Sequence, residues 1–160
     1  MRNLDPAGGR ITIDDTQVAL PEGESWATLD HGRGRWPHRI HWNWGAGSGH
    51  TDGHVIGVQV GGKWTDGTGS VENSLLVDGR LRKISEELVW DYRPGSWMES
   101  WQVHGETVDL EFVPEYVKEV ATDFKVISSA THQAFGTWRG RVQDENGSWL
   151  RVVDVFGWAE

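Results

Sequence analysis

The chain has 160 residues, which is the size of one ordinary domain with a single continuous core. Its net charge of −9, without any run of Lys or Arg, argues against nucleic acid or an anionic membrane surface as the main partner. The absence of Cys rules out disulfides, metal thiolates and a thiol nucleophile, and it suits a reducing cytoplasm.

The predicted elements begin after a polar amino-terminal segment. Residues 1–9 contain no apolar run, so we expect neither a signal peptide nor a membrane span, and we predict a cytoplasmic protein. Short stretches rich in Val, Ile, Trp and Thr then alternate with dispersed glycines, a pattern typical of an all-β domain. The predicted strands span residues 10–20, 38–45, 54–61, 73–77, 80–85, 87–92, 99–104, 107–113, 124–143 with a bend near Gly136, and 148–158.

The connections predict the order in which these strands pair. Asp78-Gly79, residues 144–147 and residues 104–106 each have the composition of a tight hairpin turn. Residues 115–123 fit either two turns of helix or a bent loop, because Pro114 precedes β-branched residues. We expect an antiparallel up-and-down meander of about eight to ten strands, closed as a barrel or packed as a sandwich.

Three longer segments rich in glycine or polar residues lie between the predicted strands. They cover residues 25–37, 45–53 and 61–70. Such loops beside aromatic strands are typical of the mouth of a cavity. Period-2 alternation in turn predicts the buried faces: Leu110 and Phe112 on one strand, Trp90 and Tyr92 on another.

Tryptophan is the most informative residue type, with 11 Trp against 2 Tyr and 4 Phe. An indole has a large apolar body and one N–H donor, so this composition indicates either the wall of a ligand cavity or a barrel filled by its own side chains. In residues 41–44 the two Trp share one strand face, opposite a His and an Asn. The predicted ligand-binding residues are His41, Trp42, Asn43, Trp44, Trp90, Trp101, His132 and Trp138.

Three carboxylates are candidate catalytic residues, Glu87, Asp91 and Glu99, because each lies within three residues of a Trp or Tyr on a predicted strand. A carboxyl group among indoles has a raised pKa and is able to act as a general acid in hydration or isomerisation. In an acidic protein, however, most carboxylates are simply solvated.

Two patterns are weighed as cofactor sites and set aside. His50, Asp52 and His54 alternate as in a metal half-site, but the neighbouring glycines favour a loop. Residues 45–49 share only their glycine content with a phosphate loop, because no Lys-Ser/Thr pair follows. We therefore predict neither a metal nor another cofactor.

A series of motifs then resembles a known family. They are Trp42-x-Trp44, Asp52-Gly53, Val77-Asp78-Gly79, Trp101-x-Val103, Leu110-x-Phe112-Val113-Pro114, Thr137-Trp138-x-Gly140 and Phe156-Gly157-Trp158. Their order is similar to the carboxy-terminal lipocalin-like domain of carotenoid hydratases, the hydroxyneurosporene synthase superfamily. The strings at residues 32–37, 41–45 and 62–67 resemble more closely an uncharacterised bacterial relative of that domain.

The resemblance implies a lipocalin-like, calycin-type barrel. It also implies that residues 1–160 are one domain, equivalent to the carboxy-terminal half of a two-barrel protein, with a second lipocalin-like domain or another copy of the chain as a partner. In the hydratases a carboxylic acid supported by Tyr, His and Trp is thought to act on an isoprenoid double bond.

Two functional hypotheses follow. One is a module that binds a hydrophobic, lipid-like or isoprenoid-like small molecule in a Trp-lined cavity. The other is a cofactor-independent hydratase, isomerase or cyclase for such a substrate, which uses carboxylic-acid catalysis. The strand 54–60 contains neither Asp nor Tyr, and this favours the binding module.

Overall fold

The computed structural model of the chain describes residues 2–6, 8–32, 35, 37–123 and 128–160. Within these ranges the chain forms β-strands and no helix, which confirms the predicted all-β class. The strands are β1 (Arg2–Pro6), β2 (Gly9–Ile13), β3 (Thr16–Leu20), β4 (Trp26–Leu29), β5 (Asn43–Thr51), β6 (His54–Gly62), β7 (Asn73–Val77), β8 (Arg80–Ile84), β9 (Val89–Asp91), β10 (Trp101–His104), β11 (Val108–Asp123), β12 (Ser128–Gln143) and β13 (Trp149–Ala159).

Nine of these strands form one antiparallel sheet in the order β8-β7-β6-β5-β13-β12-β11-β10-β9. The sheet curls into a half-barrel, in agreement with the predicted antiparallel barrel of about eight to ten strands. Its edge strands β8 and β9 are consecutive in the chain, and the four residues 85–88 that join them keep the two edges close together. Outside this sheet β1 pairs with β4 and lies against β5 and β6, while β2 pairs with β3.

The core lies on the concave side of the curled sheet, where alternate residues of each strand meet. Leu110 and Phe112 are buried while Asp109, before them on the alternate face of the strand, is exposed, as the alternation predicted. Trp90 and Tyr92 pack against the same core, whereas Val89 is exposed. Other fully buried members, on β6, β7, β8, β10, β11, β12 and β13, are Ile56, Val58, Val60, Leu75, Ile84, Trp101, Val103, Val108, Trp138, Val142, Val155 and Ala159.

Strand β5 occupies most of a segment for which the sequence predicted a loop, residues 45–53. It pairs with β6 on one side and with β13 on the other. A Cβ atom added to Gly45 or Gly47 would lie 2.6 Å from the ring of Trp138. The loop prediction was wrong because these glycines make room for an indole rather than interrupt the strand.

Two other predicted elements differ from the structure. Residues 10–20 form the hairpin of β2 and β3, which turns at Asp14 with a φ of 52°. Residues 115–123 are neither helix nor loop, because β11 continues past Pro114 with a shift in register and pairs with β12 as far as Asp123. Residues 124–127 of the predicted strand 124–143, and residues 33, 34 and 36 of the predicted loop 25–37, lie outside the described residues.

The three predicted hairpin turns are confirmed. Asp78 and Gly79 both have positive φ, 47° and 80°, between β7 and β8. The turn after β10 is closed by a bond from the Gly105 N–H to the Val108 carbonyl. The turn after β12 is closed from the Asp144 N–H to the Ser148 carbonyl.

The link between the two edge strands is anchored by Glu86. Its carboxylate accepts hydrogen bonds from the backbone N–H groups of Glu106 and Thr107 and from the Thr107 hydroxyl, in the turn between β10 and β11. Burial alone would raise the pKa of Glu86, but these hydrogen bonds outweigh it and hold the pKa below its ordinary value. The Glu86 carbonyl in turn accepts from the Asn73 amide on β7. We call this set of contacts the seam.

Candidate functional site

Aromatic rings cluster at one end of the half-barrel. The rings in mutual contact are those of Trp90, Tyr92, Trp97, Trp101, Phe112, His132 and Trp138. Tyr92 stacks on Trp101 with ring centroids 4.6 Å apart, and Trp97 stacks on His132 at 4.3 Å. Trp101 and Trp138 are fully buried, whereas Tyr92, Trp97 and His132 are half-buried at the rim. We call this end of the sheet the aromatic end.

Strand alternation and glycine together position the inner rings. Trp101 and Phe112 face each other in register on β10 and β11, and Phe112 is in register with Trp138 on β12. The Trp138 indole crosses to β5, where its N–H donates to the Ala46 carbonyl at 3.2 Å over the two glycines. Because these rings fill the space between the strands, this part of the interior is packed rather than empty.

A polar cluster lies beside the rim. The Tyr92 hydroxyl oxygen accepts a hydrogen bond from the Lys63 ammonium at 2.7 Å and another from Asn43 Nδ2 at 3.0 Å. The ammonium also lies 5.0 Å from the centre of the Tyr92 ring. Asn43 begins β5 and Lys63 follows β6, so the two ends of a hairpin converge on one phenol. We call Asn43, Lys63 and Tyr92 the polar trio.

The backbone of the turn after β6 places Lys63 over the phenol. Lys63 has a φ of 69°, a left-handed conformation that is uncommon for a residue with a side chain. The turn is held by a bond from the Lys63 N–H to Asp66 Oδ1 at 2.8 Å and by one from the Trp64 N–H to the Gly62 carbonyl. Lys63 itself is exposed, so its ammonium closes the polar trio from the solvent side.

The amide of Asn43 is buried with its oxygen unpaired. Asn43 is 2% exposed; its Nδ2 donates to Tyr92 and to the Glu160 carbonyl at 3.2 Å, but its Oδ1 has no hydrogen-bond partner. Asn73 provides the contrast, because its Oδ1 accepts from the Gly61 N–H at 2.7 Å and its Nδ2 donates to the Glu86 carbonyl. An unpaired buried acceptor costs about 1–3 kcal/mol. This cost marks Asn43 as the unsatisfied group of the aromatic end.

Residues 93–100 form a loop over the rim. Arg93 bonds to Ser96 at 2.9 Å and forms an ion pair with Glu99 inside the loop. The carbonyl of Trp97 accepts from the Trp101 indole at 3.2 Å. Stacking of Trp97 on His132 connects the loop to β12. The loop is thus attached mainly by aromatic contacts at its centre.

The structure brings five of the predicted ligand-binding residues together: Asn43, Trp90, Trp101, His132 and Trp138. It places the other three elsewhere. His41 is exposed before β5, and the Trp42 indole donates to Glu160 Oε1 at 2.9 Å. Trp44 packs edge-on against Trp158, with centroids 5.3 Å apart, on the outer face of the sheet. The reason is the alternation of β5, which turns Asn43 and the glycines inward and therefore turns Trp44 outward.

The three candidate catalytic acids are all exposed. Glu87 accepts from the Gly67 N–H at 2.6 Å, Glu99 forms an ion pair with Arg93, and Asp91 follows the alternation of β9 toward solvent. None of them has the surroundings of indole rings on which the prediction of a catalytic acid depended. Nearness to a Trp in the sequence was misleading, because neighbouring residues of a strand point to opposite faces.

Sequence reasoning missed Lys63, Tyr92 and Trp97 as residues of the site. Tyr92 has a readable signal, since it shares the apolar face of Trp90 and carries a hydroxyl group there. Lys63 lies in a polar turn where the pattern says nothing about the direction of its side chain. Trp97 lies in a Pro-Gly loop, whose path cannot be inferred from periodicity.

Two concavities lie away from the aromatic end. One of about 470 Å³ is on the outer face beside Arg139, where the Glu111 carboxylate accepts from the Arg139 guanidinium at 2.6 Å, which lowers the pKa of Glu111. The other, of about 380 Å³, lies at the opposite end of the half-barrel beside Arg82, which donates to the Gln143 carbonyl. In both, polar groups largely satisfy one another, and this makes them weaker candidates than the aromatic end.

The pattern His50, Asp52 and His54 does not form a metal half-site. Asp52 lies in the turn between β5 and β6, and this separates the two histidines. His50 Nε2 lies 2.9 Å from the Gly23 carbonyl, and His54 Nδ1 lies 2.6 Å from Asp78 Oδ2. Among the described residues no three His, Asp or Glu side chains are grouped to hold a metal ion. The described part of the chain also contains no helix long and apolar enough to cross a membrane.

Comparison with known proteins identifies the family of the chain. The family described as Domain of unknown function (DUF2804) matches residues 2–160. The chain belongs to this family. No curated protein and no solved structure matches it. Membership of DUF2804 agrees with the predicted resemblance to an uncharacterised family, and the relation to carotenoid hydratases stays a prediction.

Proposed function

We propose that this DUF2804 domain binds an apolar small molecule, lipid-like or isoprenoid-like, at the aromatic end of the half-barrel. The observation that carries the proposal is the unpaired Asn43 Oδ1, buried beside the Tyr92 hydroxyl and the stacked rings. Other buried amides of the chain, Asn73 and Gln59, have protein partners for the groups that they bury. A ligand that reached Asn43 would relieve a cost that the fold leaves in place.

The rim, rather than the packed interior, offers the apolar surface for this ligand. Trp101 and Trp138 are in contact on all sides and leave no room. Trp90, Trp97 and His132 are half-buried and present ring surface at the edge of the cluster. A ligand that covers such surface gains about 25 cal/mol for each Å² of apolar area removed from water.

Entry would require the loop of residues 93–100 to open. Trp97 attaches the loop by its stack on His132, by tilted contacts with the rings of Tyr92 and Trp101, and by its carbonyl, which accepts from the Trp101 indole. The stack on His132 is the closest of the ring contacts. An aromatic pair contributes about 0.5–1.5 kcal/mol beyond its buried area, so its exchange for ligand contacts is within the energy available from binding. The apolar body of the ligand would then lie between Trp97 and His132, so that both rings contact the ligand instead of each other.

The alternative, an enzyme that uses carboxylic-acid catalysis, has less support. It needs an acid that keeps its proton near neutral pH, and Glu87, Asp91 and Glu99 are all solvated. We therefore propose binding without catalysis by these three residues.

The test uses a conjugated polyene fatty acid, which quenches Trp emission when it binds close to indoles. We expect saturable quenching of the folded protein with a micromolar Kd, on the order of −8 kcal/mol. Trp97→Ala should weaken binding by about 1–3 kcal/mol because it removes a wall of the site. Trp149→Ala is the matched control, since Trp149 packs under Arg141 away from the aromatic end. Equal effects of the two substitutions, or no saturable quenching, would refute the proposal.

A further inference from the structure

We infer that the ligand of the aromatic end carries a hydroxyl group at its polar end, and that Asn43 and Tyr92 recognise it. The inference rests on the proposed function, because it concerns the same site. It makes the preferred ligand an apolar alcohol rather than a fatty acid or an aldehyde. The evidence is the hydrogen-bonding capacity that remains in the polar trio.

Asn43 has only acceptor capacity left. One proton of its Nδ2 goes to the Tyr92 oxygen and the other goes to the Glu160 carbonyl. A carbonyl has no proton to donate, so the nitrogen of the amide, and not its oxygen, must face Glu160. The remaining polar atom of the side chain is Oδ1, which has no hydrogen-bond partner. Asn43 is only 2% exposed, so water does not satisfy this atom.

Tyr92 has donor capacity left. Its oxygen accepts from Asn43 Nδ2 and from the Lys63 ammonium, and neither of these groups is able to accept a proton in return. Within the described part of the chain no acceptor is paired with the phenol proton itself. The aromatic end therefore offers one unpaired acceptor, Asn43 Oδ1, and one unpaired donor, the Tyr92 hydroxyl. Oδ1 and Nδ2 share one carbon, so the two groups lie within reach of a single ligand atom.

A hydroxyl group is the small head group that complements this pair. It donates its proton to Asn43 Oδ1 and accepts the proton of Tyr92 with a lone pair. An aldehyde accepts from Tyr92 but leaves Asn43 Oδ1 unpaired. A carboxylate brings a negative charge against that same oxygen, which is itself an acceptor, and this costs binding energy.

Lys63 is the group that would favour a carboxylate. Its ammonium is exposed, already bonded to Tyr92, and in contact with water, so its attraction for an anion is screened. The buried and unpaired Asn43 Oδ1 is not screened in this way. The burial of the two groups therefore decides the preference in favour of the alcohol.

The experiment compares retinol, retinal and retinoic acid, which share one polyene tail and differ in the head group. Quenching of Trp emission gives a Kd for each. We expect retinol to bind about tenfold more tightly than retinoic acid, with retinal between them, as the gain or loss of one buried hydrogen bond implies.

Two substitutions test the assigned residues. Tyr92→Phe keeps the ring that stacks on Trp101 and removes the donor, so it should weaken the binding of retinol about five- to tenfold. Asn43→Leu should abolish the preference among the three head groups. Gln102→Leu, an exposed amide on β10, is the control and should leave the preference intact. If Asn43→Leu fails to fold, Tyr92→Phe still decides.

The outcomes separate the two proposals. Equal affinity for the three probes, or tighter binding of retinoic acid, overturns the hydroxyl inference and leaves binding at the aromatic end standing. Retinol binding that Tyr92→Phe leaves unchanged also overturns it. No saturable quenching by any of the three overturns the proposed function, and the inference falls with it.

Discussion

Two glycines on β5 set the size of the side chain that the interior of the half-barrel holds. Gly45 and Gly47 lie under Trp138, which is fully buried, so the indole has no space into which to move. Gly49 is the third glycine on the same face, but a Cβ there would lie 3.7 Å from Val155, at ordinary contact distance. All three glycines lie on the same strand, but only Gly45 and Gly47 face the indole of Trp138.

Gly47→Ala should therefore destabilise the fold by about 1–3 kcal/mol, the usual cost of overpacking a filled core. Gly49→Ala is the matched control and should change the free energy of unfolding by less than about 1 kcal/mol. The added methyl group fits at this position, and alanine loses less backbone entropy on folding than glycine does. Urea unfolding followed by Trp emission measures both. Similar losses for the two variants would contradict the role given to Trp138.

At the scale of residues the sequence predicts the site in part. Trp90, Trp101 and Trp138 were correctly placed in the interior because apolar alternation marks one face of their strands. On β5 the same rule pointed the wrong way, since its inner face carries glycines and an Asn while Trp44 lies outside. Hydrophobicity alone does not identify the inner face of a strand when a large side chain from another strand fills the space over that face. Only the facing indole of Trp138 explains the pattern.

At the scale of elements, the seam joins the edges of the open sheet without backbone pairing between them. Glu86 connects the link of residues 85–88 to the turn before β11, and Asn73 connects it to β7. The lowered pKa of Glu86 means that the folded state stabilises the charged carboxylate relative to the unfolded chain. A carboxyl with such a pKa stabilises the fold above its unfolded pKa, and this contribution is lost as the pH falls through the folded value.

Glu86→Gln should thus cost about 1–2 kcal/mol at pH 7, the difference between a charged and a neutral set of hydrogen bonds. The cost should shrink toward zero at a pH below the lowered pKa, where wild-type Glu86 is also neutral. Glu119→Gln, at an exposed position on β11, is the control and should have little effect at either pH. Chemical unfolding at neutral and at acidic pH provides the measurement. A loss of unfolding free energy that was the same at both pH values would show that the charge of Glu86 does not stabilise the seam.

The hairpins are the elements that the sequence predicts best, because a two-residue turn requires particular backbone angles. Asp78-Gly79 was read in this way, and Asp52-Gly53 has nearly the same angles, with φ of 47° and 81°. The second hairpin was overlooked because the glycines before it suggested a loop. β1 and β4 were missed as well, since short strands at the margin of a sheet carry little periodic signal.

At the scale of the whole molecule, the pairing of β5 with β13 joins distant parts of the chain. Gly45 and Gly47 are in register with Ala159 and Gly157, and Trp44 exchanges two backbone hydrogen bonds with Glu160. This junction lies in the middle of the nine-stranded sheet. No turn specifies it, and so the order of the strands could not be read from the sequence, although the strand class and most hairpins could.

Removal of residues 157–160 should abolish cooperative unfolding, because the sheet is then left as two parts without their central pairing. Near-ultraviolet circular dichroism should lose the signal of the packed indoles. The control replaces residues 10–19 of the exposed β2–β3 hairpin with two glycines, and should shift stability by no more than about 0.5 kcal/mol. A truncated chain that kept the unfolding midpoint of the intact chain would show that β5 does not need β13.

The same pairing has a consequence for the nascent chain on the ribosome. β5 and β6 emerge early, but one edge of β5 stays bare until residues 157–159 have also been synthesised. A bare edge is a template for unwanted pairing between chains. Gly45, Gly47 and Gly49 give that edge a poor intrinsic tendency to extend a sheet. The glycines that make room for Trp138 in the folded protein thus also reduce pairing between nascent chains before β13 has been synthesised.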